Sequence, residues 1–443
     1  MDWASLDRLP PDRLWLRPLG LVCGGAAADA IASGDAYPLG ANDCAFALVA
    51  AIGLGPERRP VSVTASIAQF EAWIAGAGAR WAGRAREQLA SLSAPRAPWA
   101  GFSFDRPLIM GVLNVTPDSF SDGGRWFEPE PAIAHGRALL EAGADIVDVG
   151  GESTRPGAAP LPPGEEIHRV GPVVRALAGS GAVVSIDTRH KEVMEAALDA
   201  GARIVNDVSA LTYNPDSLAL VARRRAAVVL MHMRGEPRTM QENPVYASPL
   251  VEVLEYLEAR IHACVAGGIA REAIAVDPGF GFGKLVPHNL ELLAGIGAFH
   301  TLGCAIVLGV SRKSTISRLS RGEPPEARLP GSLAAALFAV QQGVQILRVH
   351  DVAETRQALA VWRAIAASRT ADQPDPTPIG RTRCKIAPTP SASGNTSSFS
   401  TQTRTRSTRG SAKQAAQTRS ANPSHRSIWP DLAISRIAAT TFS

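Results

Sequence analysis

The strongest constraint on this chain is a pattern that fills residues 106 to 370: eight short apolar runs alternate with longer amphipathic segments, and every run turns polar where it ends. The runs are LIMGVLNV from residue 108, DIVDVGG from 145, VVSIDT from 183, IVNDV from 204, VVLMHM from 228, AIAVDPG from 273, AIVLGVS from 305 and ILRVHD from 346. Between them lie helix candidates such as PAIAHGRALLEAGA, KEVMEAALDAGA, PLVEVLEYLEARIHACVAGG and GSLAAALFAVQQG, most of which close with Gly, the usual helix stop. Alternating strand and helix periods define βα units. Eight parallel strands, each followed by a helix, close most naturally into a (β/α)8 TIM barrel, whereas a doubly wound open sheet seldom needs eight regular units. The expected fold class is α/β.

The run ends hold Asn114, Gly151 with Glu152, Asp187, Asn206 with Asp207, His232, Asp277, Ser311 followed by Arg312 and Lys313, and Arg348 with His350. In a barrel these ends meet at one mouth, where active sites of this fold are built from the βα loops. Singly, each is as well explained as a cap or strand exit, as with Asp187 before Thr188 and Asp277 before Pro278. Together they mark a site.

At 443 residues the chain exceeds the barrel segment at both ends. Residues 1–100 contain LGANDCAFALVAAIGLG and SIAQFEAWIAGAGARWAGRAREQLASL, helical in period and rich in Ala, with Trp residues suited to a buried face. They predict a small appended domain, mixed or mainly helical, joined through SAPRAPWAG to a barrel over 106–370. The net charge of +4 belongs to the end of the chain: from residue 371 ten Arg or Lys face three Asp, so the remainder is acidic. That tail, 371–443, includes GNTSSFSTQTRTRSTRGSAKQAAQTRS and has too little apolar surface to offset its ordering entropy, so disorder is expected. A reading-frame change near residue 370 would give the same composition. No aromatics interleave with its arginines, so no nucleic-acid partner is expected.

Apolar residues make up 46% of the chain and charged residues 19%, a globular balance. No apolar run reaches the roughly 18 residues that cross a bilayer, and MDWASLDRLPPDRLWL lacks a charged region followed by an apolar one. A soluble chain with no membrane partner is expected. Its five cysteines, Cys23, Cys44, Cys264, Cys304 and Cys384, are odd in number, widely spaced and never in a CxxC pair. Neither a disulfide framework nor a zinc site is suggested, and a reducing cytoplasm fits best.

In order, GVLNVTPDSFSDGG, VDVGGESTRPGA, SIDT, NDVSAL, LMHMRGEPRTMQ, DPGFGFGK, GVSRKS and GSLAAALFAVQQGVQILRVHDV resemble the motifs of bacterial dihydropteroate synthases over about residues 106 to 365. The resemblance implies an enzyme of folate synthesis that joins p-aminobenzoate to a dihydropterin methyl diphosphate and releases diphosphate. A diphosphate leaving group needs positive charge, fixed donors and usually Mg2+. Arg348 and His350, two apart on one strand, point to the same face. By resemblance they bind diphosphate with Asn114 and Thr154, while Asn114 also offers a neutral oxygen to the metal. The structural alternative pairs Arg348 with Asp351 and makes His350 a structural imidazole.

The amino-pyrimidine edge of a pterin is a row of donors that carboxylates accept well. The resemblance assigns Asp187, Asn206 and Asp277 to that edge, Met231 to a soft wall against the ring, and Lys313 to the carbonyl side. Two carboxylates alone also suit a glycosidase, but such a site has no use for Arg348, His350 and Lys313. Loss of diphosphate leaves a water-sensitive pterin methyl cation, so a mobile cover is required. The polar loops TPDSFSDGG and GESTRPGAAP fit that need, with Asp122 and Arg155 as the expected link between them and, with Lys313, as catalytic residues. Phe120, Thr154, Pro156, Phe282 and Ser314 resemble the p-aminobenzoate pocket.

Arg189 and His190 depart from the family pattern, which often has an aromatic, a Thr or a Lys there, and the N-terminal extension has no family role to carry over. Family members are generally dimers, so a homodimer is expected by analogy. Two rivals are a pterin-dependent methyltransferase, which needs neither GVSRKS nor the DSFSDGG loop, and a non-catalytic pterin-binding paralogue.

Overall fold

In the N-terminal extension, strand β1 (Trp15–Cys23) pairs antiparallel with β3 (Cys44–Leu54), whose other edge takes β2 (Tyr37–Pro38) and β4 (Pro60–Ser66). Helices α1 (Gly25–Ala32), α2 (Ile67–Gly76) and α3 (Ala79–Ser93) complete it. A capping box starts α2: the Ser66 hydroxyl accepts from Gln69 N at 3.3 Å while Gln69 Oε1 accepts from Ser66 N at 3.0 Å. This is a computed structural model that describes residues 2–40, 44–115, 128–152, 161–236 and 239–368. All of them lie within one compact unit, Met1–Thr377; the tail lies outside them.

The helical reading holds for 67–93 and fails for LGANDCAFALVAAIGLG, whose centre is β3. The cause is burial on both faces. Ala50, Ile52 and Leu54 join the core that wraps the barrel, while Phe46, Val49 and Ala51 join a separate core with Leu16, Phe70 and Leu92. A strand apolar on both sides loses the period of two that would have announced it.

Cys23 and Cys44 face each other in the β1–β3 register and form a disulfide, which overturns the expectation of unpaired cysteines. Sheet register created the pair, so sequence spacing gave no sign of it. Closing a loop across a separation of 21 residues stabilises by about 3 kcal/mol on chain-entropy grounds. Dithiothreitol is therefore expected to lower the thermal midpoint by several degrees; equal midpoints with and without reductant would show that the bond is not made in solution.

The eight sequence runs all become parallel strands: β5 (Leu108–Asn114), β6 (Ile146–Gly150), β7 (Val184–Asp187), β8 (Ile204–Asp207), β9 (Ala227–Met231), β10 (Ile274–Asp277), β11 (Ala305–Leu308) and β12 (Ile346–Val349). They close into a barrel, with β12 paired to β5 through Ile346↔Leu108 and Arg348↔Met110. Around it run α4 (Pro129–Glu141), α5 (Pro163–Gly179), α6 (Lys191–Asp199), α7 (Ser217–Arg224), α8 (Pro249–Ala266), α9 (Val286–Ala294), α10 (Ser314–Leu319), α11 (Leu329–Gln341) and α12 (Val352–Ser368). Among the described residues no helix is long and apolar enough to cross a membrane.

The segment read as a linker plugs the barrel floor. Trp99 is buried against Met110, Ile146, Ile204, Val229 and Ile346 and donates its indole N–H to Ala273 O at 3.0 Å. Arg96 reaches the outer layer, donating to His300 O at 2.8 Å. The extension grips the helical layer around the barrel through Arg84 to Glu258 at 2.9 Å and Arg17 to Ala294 O at 2.9 Å.

Candidate active site

Strand periodicity places the site. Residues Ile146, Ile204, Val229, Ala275 and Ile346 point inward at the floor, and a strand returns to the same face every second residue. Two positions on along the same strands stand Asp148, Asn206, Met231, Asp277 and Arg348. Four on from Met110, Val183 and Ile346 stand Asn114, Asp187 and His350. The barrel interior thus changes from apolar to ionised as it approaches the mouth.

Arg348 organises the centre. Its Nε donates to Asp148 at 2.6 Å and its Nη2 to Asp187 at 2.6 Å, and Asp148 Oδ2 also accepts from Asn206 Nδ2 at 3.1 Å. The alternative pairing fails: Asp351 is taken by Arg312, whose Nε donates to it at 3.0 Å. His350 holds Ser311 Oγ at 3.0 Å through Nδ1. Burial, with Asp148, Asp207 and Asp277 close by, pushes the Asp187 carboxyl well up although Arg348 pulls it down. Burial lowers the Arg348 guanidinium, and Asp148, Asp187 and Asp277 more than offset it and raise it. Asp207 itself is spent on structure, accepting from Leu211 N at 2.9 Å and Ser209 N at 2.7 Å.

On the other side Asp277 Oδ1 accepts from Gly279 N at 2.7 Å. Lys313 donates to Phe280 O and lies 4.6 Å from the Phe282 ring centroid. Burial lowers its ammonium to about 8, with Asp277 pulling the other way. Ser314 follows at once as the first residue of α10. The turn DPGFGFGK is pinned from within by Lys284, whose Nζ lies 2.9 Å from Gly279 O, 2.9 Å from Phe282 O and 2.9 Å from His232 Nδ1. Gly279 and Gly283 adopt φ of +69° and +63°, and a Cβ at either would overlap a carbonyl of the β9 exit.

The structure therefore gathers Asn114, Asp187, Asn206, Met231, Asp277, Lys313, Arg348 and His350 at the mouth, with Phe282 and Ser314 beside Lys313. Phe120, Asp122, Thr154, Arg155 and Pro156 lie outside the described residues. Sequence reasoning missed Asp148 and Lys284 as site residues and marked Ser311 only as a strand end. Asp148 had a signal: a lone acid between Val147 and Val149 in a fully buried strand needs a partner.

A hard cation needs oxygen donors. Asn114 supplies one neutral oxygen at the mouth, and Asp148 Oδ1 is a buried oxygen with no hydrogen-bond partner among the described residues. That donor set fits Mg2+ if substrate oxygens and water complete its shell.

A barrel mouth with these acceptors suits a flat ring rich in donors, and the family profile described as pterin binding enzyme matches residues 110–350. Fold and site define a pterin-binding barrel enzyme. The dihydropteroate synthase of Escherichia coli strain K12 is 47% identical over 272 residues, which cover 61% of this chain and 96% of that one. The solved Xanthomonas albilineans dihydropteroate synthase with 4-aminobenzoic acid matches with TM-score 0.57 and 48% identity over 60% of this chain and 97% of that one. A second structure of the Xanthomonas albilineans enzyme, in complex with 7,8-dihydropteroate, gives 0.55 and 45% over 60% and 96%. This chain belongs to the dihydropteroate synthase family.

Proposed function

We propose that the barrel joins p-aminobenzoate to a dihydropterin methyl diphosphate with the residues in the following roles. Asp187, Asp277 and Asn206 hold the amino-pyrimidine edge, Met231 backs the ring and Lys313 donates to its carbonyl side. Arg348 receives the diphosphate with Asn114 and His350. Two of its five N–H groups are engaged by Asp148 and Asp187, which leaves three for phosphate oxygens. Mg2+ bound at Asn114 would take up charge on the departing oxygens. The methylene C–O bond breaks, the amine nitrogen forms the new C–N bond, and the amine loses a proton. Phe282 and Ser314 border the side from which the amine enters, with Phe120, Thr154 and Pro156 completing its pocket. Asp122 and Arg155 join the two covering loops. The observation that carries this reading is the Arg348 bridge between Asp148 and Asp187, which fixes the anion-binding group against the ring-binding acids.

The decisive experiment is a coupling assay with dihydropterin diphosphate, labelled p-aminobenzoate and Mg2+, on the full chain and on a chain ending at residue 370. Product from both is expected, with at least a tenfold loss after treatment with EDTA that Mg2+ reverses. Turnover indifferent to EDTA removes the metal from the scheme, and no product despite pterin binding in calorimetry overturns the synthase.

Lys284→Met is expected to cost roughly 3 kcal/mol by leaving buried carbonyls without a donor. Because Phe282 sits in the turn that Lys284 pins, KM should rise more for p-aminobenzoate than for the pterin, as urea unfolding and steady-state kinetics would show. A homodimer completes the proposal. Exposed Phe338 on α11 and Val361 and Ile365 on α12 support it, and light scattering tests it.

A further inference from the structure

Beside the mouth, three ligand-type side chains converge without bonding one another. Glu152 follows β6, Glu166 lies in the first turn of α5 and His190 caps the start of α6. One ligand atom from each lies within 4.8 Å of the other two. Glu166 is fully buried, and neither of its oxygens makes a hydrogen bond of normal geometry among the described residues, although Thr188 lies close enough to favour its charged form against the burial that opposes it. His190 is 8% exposed, and its Nε2 is likewise without a hydrogen bond; it faces Glu152 Oε2 at 3.8 Å, too far to bond. Arg189 donates to Glu152 Oε1 at 3.2 Å, an oxygen that also accepts from Leu161 N at 3.3 Å, while its other terminal nitrogen faces Glu236 at 3.6 Å and its plane lies over the Tyr213 ring. Glu152 Oε2, both oxygens of Glu166 and His190 Nε2 are left around a common point.

Arg189 offsets part of the charge of two buried carboxylates turned toward each other, with an imidazole nitrogen as the third corner; the remainder is costly unless something positive lies between them. We propose that Glu152, Glu166 and His190 bind a divalent transition-metal ion, Zn2+ by preference. A mixed imidazole and carboxylate set favours Zn2+ over Mg2+, which prefers oxygen alone. Bonds of roughly 2.0–2.2 Å to a shared ion put ligand atoms about 3.4 Å apart, so the three side chains must draw in from the observed separation of up to 4.8 Å. The site shares no ligand with the Asn114 position. Its position gives it a structural role: it ties the exit of β6 to the first turn of α5 and to the turn that follows Asp187, so it braces the base of the second βα loop.

The test uses the full chain, stripped with EDTA and dialysed, then titrated with ZnCl2 by calorimetry and with Co2+ by visible absorption. One Zn2+ per chain is expected, with a higher thermal midpoint and a Co2+ spectrum that reports nitrogen and oxygen ligands. Glu166→Gln and His190→Ala should each weaken Zn2+ binding at least thirtyfold while the metal-free variants keep wild-type circular dichroism. Binding of less than a tenth of an equivalent overturns the proposal, as does binding that either variant leaves unchanged. Should one variant fail to fold, Glu152→Gln in the wild-type background reads the same loss.

Discussion

Arg348→Ala is expected to damage the fold and the chemistry together. Its guanidinium is the shared partner of Asp148 and Asp187, and removing one side of a buried pair leaves uncompensated charge worth about 3–5 kcal/mol of stability. Sequence reasoning alone points to an effect mainly on diphosphate. The geometry adds a second effect, because Asp187 loses the group that orients it and Asn206 is held through the same Asp148. We expect kcat/KM to fall by at least a thousandfold and the urea midpoint to drop in the same variant. Arg348→Lys separates the two effects: an ammonium keeps the charge but not the planar fork, so it should restore most of the stability and little of the turnover. Full stability in Arg348→Ala would remove the bridge from the architecture of the site.

Asp187→Asn is expected to move stability and binding in opposite directions. The acid is crowded by Asp148, Asp207 and Asp277, which raise its carboxyl together with burial. An amide relieves that crowding and leaves Arg348 paired with Asp148, so unfolding free energy should stay level or rise by about 1 kcal/mol, the usual sign at a functional site that stores repulsion. Pterin affinity should fall by roughly a hundredfold or more, since the substitution exchanges an ionised acceptor for a neutral one facing a row of donors. Calorimetry with a pterin and chemical unfolding on the same sample give both numbers. A destabilised variant that binds pterin normally would reverse the assignment.

The barrel was legible because its strands carry the signal twice, as apolar runs and as polar exits. The inward positions follow by counting in twos from the floor, which recovers Asn114, Asp187, Asn206, Met231, Asp277, Arg348 and His350. What counting cannot give is who pairs with whom. Arg348 is three residues from Asp351 and 200 from Asp148, yet closure of the barrel makes the distant acid its partner and hands Asp351 to Arg312. β3 escaped notice because it is apolar on both faces. Cys23 and Cys44 escaped because a sheet register brought them together. Lys284 was visible only as the last letter of a motif, since its role depends on carbonyls that a turn must first aim at it.

The pairing of β12 with β5 has a consequence for how the protein is made. During synthesis the extension and Asn114 emerge early, whereas Arg348 and His350 come near the end of the barrel segment. Asn114 on one side and Arg348 with His350 on the other flank the seam where the last strand meets the first. A nascent chain therefore has every βα unit but one before Arg348 and His350 can join Asn114, and closing the barrel over so long a separation is a slow contact to form. With Arg348 and His350 in the proposed role, ligand capture would report completed synthesis: a chain arrested before residue 346 can be mostly barrel and still be blind to diphosphate.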